Sequence, residues 1–146
     1  MLGPAGCWAT FGELLARNNW ADATHQLATD AYAVSHPGIP GDRRAVQSVA
    51  VHLILLHLVL EDGVDPMRRH VLLKRIVRSR AFSRLEPPTL RGRMTAADVL
   101  LRGGGPDEHR ASILGWADDL WAAWSSHHAT IRSWVRKGLG DEPANR

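Results

Sequence analysis

An all-α helical bundle is the fold this sequence predicts, and three observations predict it. Apolar residues recur at three- and four-residue spacings along nearly the whole chain. No stretch of four to eight residues alternates apolar and polar between turn residues, and β-branched residues are scattered. Capping and breaking residues stand where helices should start and stop. With 146 residues, 45% hydrophobic and 23% charged, the chain has the size and composition of one globular unit rather than a disordered one. The expected division is a bundle of five to six helices over 1–139 and a frayed tail over 140–146.

The first helix is expected over about Trp8–Arg17, where Trp8, Phe11, Leu14 and Leu15 share a face, and Asn18-Asn19 interrupt it. The second runs from about Trp20 to Val34. It must end there, because Pro37 pushes His36 out of helical dihedrals. Asp42 is a good N-cap for the third helix and Gly63 a good stop. Apolar almost all round from Val49 to Leu60, this helix (about 43–61) belongs at the centre. Asp65-Pro66 then pairs an N-cap with an N1 proline. In the fourth helix Leu72, Leu73, Ile76 and Val77 face inward, and Arg68, Lys74, Arg75 and Arg78 outward. Glu86-Pro87-Pro88 breaks the chain into a loop, and Thr95 with Asp98 forms a capping-box pattern for a short helix ending near Arg102. Pro106 opens a long C-terminal helix expected to reach about Lys137.

Several function classes lose support at once. The single cysteine, Cys7, excludes an intramolecular disulfide and a multi-cysteine zinc site within these residues. The start MLGPAGCWATFGELL has neither a basic leader nor a long apolar core, and the twelve-residue run Val49–Leu60 carries two histidines. A soluble cytoplasmic protein without a membrane partner is the expectation. No nucleotide-cofactor motif is present. The net charge of +3 hides an asymmetry: from Met67 to Met94 nine basic residues face the single acid Glu86, so the segment carries +8 and the remainder −5. Such a field attracts anions. Only Phe82 interleaves these arginines, which disfavours nucleic acid as the partner.

The eight histidines are the most informative feature. His127 continues the stripe Ile113, Ala117, Leu120, Trp124, Ile131 and Trp134, while His128 falls in the row of Leu114, Trp121 and Val135. In the central helix Arg44, Ser48 and His52 make a polar line, with His52 in apolar surroundings; His57 pairs with Glu61 at i+4 as a structural imidazolium. In the second helix His25, Thr29 and Tyr32 share a face that His36 would extend, and Asp30 lies on another. Three helices thus each bring a histidine to an inward face. The expected metal ligands are His25, His52, His127 and His128, binding a divalent ion such as zinc with an open position. The same cluster without metal would supply acid–base groups, with His25, His52, His128 and Tyr32 catalytic. Trp121 and Trp124 would wall a pocket for a flat small molecule, and Ser48 and Arg75 would contact it. Three satisfied core histidines, packed tryptophans and a solvated arginine face are the plain alternative.

HQLATDAYAVSHPG (His25 to Gly38), AVQSVAVHLILLHLVLEDG (Ala45 to Gly63) and WAAWSSHHATIRSW (Trp121 to Trp134) resemble the motifs of a bacterial family of unknown function, over most of the chain from Cys7-Trp8. The resemblance puts weight on His25, Asp30, Tyr32, His36, Gln47, Ser48, His52, His127 and His128. It implies no activity. Members of that family carry a paired-cysteine segment further upstream, and often Gln at the position of Ser35. A metal that needed those cysteines would not be held by these residues.

The function expected is a metal-dependent enzyme or metal-binding protein acting on a small molecule. One alternative is a metal-free isomerase, cyclase or lyase with a tryptophan-lined pocket. Another is a non-catalytic module that offers the basic 67–94 segment to an anionic partner. A homodimer is among the partners considered, and the sequence does not fix whether an exposed tryptophan marks its face.

Overall fold

The computed structural model describes residues 4–17, 23–78 and 80–140. Seven α-helices and no strand occur among them, so the all-α class holds with one helix more than expected. In chain order they are α1 (Pro4–Ala16), α2 (Ala23–Ser35), α3 (Arg43–Leu60), α4 (Pro66–Val77), α5 (Ala96–Arg102), α6 (Pro106–Ala123) and α7 (His128–Leu139), with a 3₁₀ turn at Ser125–His127.

Local chemistry sets the ends. The Asp42 carboxylate accepts from the Arg44 N–H to open α3, and Asp65 does the same for Met67 in α4. Thr95 and Asp98 close a reciprocal capping box on α5. Gly63, at φ +60°, supplies the left-handed step after α3 that a residue with a Cβ would resist. Trp20, Asn18, Asn19 and the tail beyond Gly140 fall outside the described residues.

α3 is the centre, packed by α2, α4, α6 and α7. Leu53 to Leu58 are all buried, six consecutive positions that only a helix covered on every side can bury. Among the described helices α3 alone has the length and mean hydropathy (1.3) to cross a membrane, and it spends that apolar surface on the protein's own core. α5 closes one end against α1 and α6.

The C-terminal helix expected over 106–137 is broken. Trp124 leaves helical dihedrals at φ −90°, ψ 16°, and Ser125–His127 tighten into the 3₁₀ turn. Serine side chains compete for backbone hydrogen bonds, so Ser125-Ser126 is a natural weak point. The break lets α6 lie along α2 while α7 turns onto α3 and α4. There Gly138 sits against the Ile76 main chain, where an added Cβ would come within 2.5 Å of Ile76 Cα.

Candidate functional site

The inward rows of α2 and α3 meet at an ion network that the sequence pattern half concealed. Asp30 is wholly buried, and its Oδ1 lies 2.8 Å from His52 Nδ1 and accepts from Gln26 Nε2 at 3.0 Å. Arg69 of α4, 3% exposed, brings Nη1 to 3.7 Å from Asp30 Oδ2. Burial pulls the Arg69 guanidinium below its ordinary pKa, and the Asp30 charge opposes that pull. Asp30 shares its row with Leu27, Ala31 and Val34, and Arg69 shares its own with Leu72 and Ile76. Membership of an apolar row was the available signal for both residues.

A second network ties α3 to α6 and α7. Glu61 accepts from Trp121 Nε1 at 3.1 Å and from Arg132 through Nε at 2.9 Å and Nη2 at 2.7 Å. The Arg132 fork, with the indole N–H, holds the Glu61 carboxyl down at about 2. His57 lies 3.2 Å from both Glu61 and Asp62. The pairing with Glu61 is as expected, but the charge is not: burial lowers the His57 pKa and outweighs both acids, so the imidazole favours its neutral form.

The four histidines expected at one centre go to different partners. His52 binds Asp30. His127 Nε2 lies 2.8 Å from the Glu86 carbonyl. His128 stacks on Trp121 at 3.9 Å and places Nε2 2.8 Å from the Trp121 carbonyl. His25 stays half-buried on α2. Among the described residues no group of three or more His, Cys, Asp or Glu side chains is placed to hold a metal ion. The break after Ala123 is one cause, since it shifts His127 and His128 out of the α6 stripe. The expected substrate contacts also separate. Trp124 is wholly buried in the core, Trp121 is engaged with Glu61 and His128, and Ser48 and Arg75 stand exposed on different helices.

What the fold does assemble is a pocket on the other face of α2. Tyr32 and His36 are one turn apart at its C-terminal end, and their rings stack at 4.2 Å. Phe11 of α1 stacks on the opposite side of Tyr32 at 4.1 Å, with Trp8 edge-on at 5.8 Å. The segment leading into α5 folds over this end of α2 because Asp119 Oδ2 accepts from the Arg93 and Met94 N–H groups, at 2.6 and 2.8 Å. Gly92 is required there: its φ is +84° and a Cβ would strike the Asp119 carboxylate. The pocket, partly open to solvent, is about 480 Å³ and is lined by Cys7, Tyr32, His36, Met94, Ala96 and Trp116 among others, with Arg91 in its wall.

Its chemistry is specific. His36 Nδ1 is 3.0 Å from the Tyr32 carbonyl, which can only accept, so in the neutral imidazole Nδ1 carries the proton and Nε2 the lone pair. Ser35 Oγ donates to the same carbonyl at 2.8 Å and lies 3.0 Å from Nδ1. Burial, with the Cys7 thiol nearby, raises the Tyr32 pKa, which keeps the phenol a proton donor. Trp116 is 1% exposed, and its buried indole N–H has no hydrogen-bond partner.

Residues 2–125 match a family described only as a family of unknown function, DUF5946. The chain belongs to that family. In this DUF5946 chain the matched stretch contains every residue named above as lining the pocket, together with Asp30, His52 and Arg69. His127 and His128 lie beyond its end, although the resemblance read from the sequence ran on to Trp134. Comparison with the curated proteins and with the solved structures returned no match.

Proposed function

We propose that the protein acts in the cytoplasm on a small molecule bound between α1, α2 and the segment entering α5, and that it moves a proton without a metal. His36 is the base through Nε2, and Tyr32 is the donor that stabilises charge on the acceptor oxygen. The observation that carries this reading is the His36 Nδ1 to Tyr32 carbonyl contact at a pocket wall, which leaves the other nitrogen basic. The reaction class is an isomerase or lyase that abstracts a proton from carbon. The metal-dependent alternative has no ligand set among the described residues to support it.

Hydrogen–deuterium exchange at carbon tests this in a mixture of candidate substrates. The full chain is incubated with a small-metabolite extract in D₂O, with EDTA present, and carbon-bound protons are followed by NMR. One or more compounds should lose a C–H signal, and His36→Gln should slow that loss by roughly 10²–10⁴-fold. Tyr32→Phe should slow it too. Exchange that requires added metal, or that survives His36→Gln unchanged, would overturn the proposal.

A second reading has its own observation. Lys74 and Arg75 stand exposed on α4 and Arg78 at its C-cap, and Arg136 and Lys137 on α7, none with a carboxylate partner among the described residues. Positive side chains in the last turn suit helix C-termini, which accounts for Lys74, Arg75, Arg136 and Lys137 without a ligand. A polyanion surface adds to this a salt-dependent retention on heparin that Arg75→Glu with Arg78→Glu abolishes. Unchanged retention would remove that reading.

A further inference from the structure

Arg91 belongs to two cavities. It stands in the wall of the pocket described above and also in that of a groove of about 440 Å³ on the other side of the α2–α3 turn. That groove runs between Pro37–Pro40, the first turns of α3 and the 83–91 segment. The two spaces differ in character. Met94, Ala96, Ala97 and Trp116 make much of the pocket apolar, whereas the groove has the hydroxyls of Ser83 and Thr89 and the Arg84–Glu86 ion pair along its wall.

Arg91 is exposed and has no carboxylate partner among the described residues. Its Nη1 donates to the Ser35 carbonyl at 3.0 Å, which satisfies the end of α2 and explains the position of the side chain. One bond to a neutral carbonyl uses one of five N–H donors and neutralises nothing. Glu86, an acid in the same groove wall, is already paired with Arg84. Trp116 lines the pocket, while its indole N–H is buried out of solvent's reach.

Resting on the proposed function, we infer that the ligand is a small carboxylic acid with an apolar body and a carbonyl beside the carbon that loses its proton. The body occupies the pocket, its carbonyl oxygen lies toward the Tyr32 hydroxyl, and its carboxylate lies on the guanidinium of Arg91 at the boundary with the groove. A proton on the carbon beside a carbonyl is one that a neutral imidazole can remove, and this substrate class presents it between His36 and Tyr32.

Phenylpyruvate and its neutral methyl ester are the probes, titrated into the full chain while the Trp116 indole N–H is followed by NMR. The acid should bind about tenfold or more tightly than the ester, one charge-assisted contact's worth. Arg91→Met should erase that preference while leaving the affinity for the ester as it was. Both probes should move the Trp116 signal. Equal binding of acid and ester, or an Arg91→Met loss that falls on both alike, would overturn the inference. Either result, with the Trp116 signal still moving, would leave the pocket itself standing as a binding site. Failure of both probes to bind would overturn the ligand class, and the deuterium-exchange test then decides the pocket separately.

Discussion

Asp30 and His52, 22 positions apart, meet at 2.8 Å with the carboxylate wholly buried. The contact pins α2 to α3, and Arg69 extends it to α4. A carboxylate taken out of water is tolerable only because two basic groups surround it, so each member depends on the others.

Removing the charge should therefore be costly. Asp30→Asn is expected to destabilise the fold by roughly 3–5 kcal/mol, because it strands the Arg69 guanidinium in the core. Arg69→Met should cost a similar amount alone. Combined, the two should cost clearly less than their sum, since the double variant buries no unpaired charge. Urea unfolding at pH 7 measures all three, and strict additivity would contradict the coupling.

Acid should weaken the fold in two stages. The folded-state pKa of His57 is depressed, so the unfolded chain takes up a proton near the ordinary 6.5 that the folded chain refuses. Stability is then lost as pH falls below that value, and His109, lowered by burial and by Arg17, adds in the same direction. Glu61 is also depressed, from 4.5 to about 2, so its contribution is complete above 4.5 and disappears as pH falls toward 2. Thermal midpoints should decline across both windows, and Glu61→Gln should flatten the lower one. A midpoint constant from pH 7 to pH 3 would refute this.

Gly138→Ala inverts the usual helix rule. Alanine is better than glycine in a helix by about 1 kcal/mol. Here the new methyl would come within 2.5 Å of the Ile76 main chain, and overpacking of that kind costs roughly 1–3 kcal/mol. The thermal midpoint should fall, and Ile76→Val should not restore it, because the clash is with Cα. A raised midpoint would show that α4 and α7 are not in this register.

Asp119→Ala should loosen the pocket more than the protein. Its carboxylate holds the Arg93 and Met94 amides, each bond to a charged acceptor being worth roughly 1.5–3 kcal/mol. Hydrogen exchange at those two amides should accelerate at least tenfold, a rough bound set by that loss, while α3 amides keep their protection. Unchanged exchange would mean the 91–95 segment is held by something else.

The sequence by itself determined the all-α class, the central place of α3, and the caps at Asp42, Asp65 and Thr95. These follow from periodicity and from backbone donors within a few residues of the side chain that satisfies them. It also indicated Tyr32 and His36 on one face of α2, because four residues make one turn. Only the tertiary structure decided which histidines have which partners. Facing inward on separate helices does not place imidazoles together: crossing positions, and the break after Ala123, sent His52 to Asp30 and His128 to Trp121 and Glu61. The pocket walls, Cys7, Arg91 and Trp116, come from segments whose packing depends on the whole core, and no local pattern encodes that meeting.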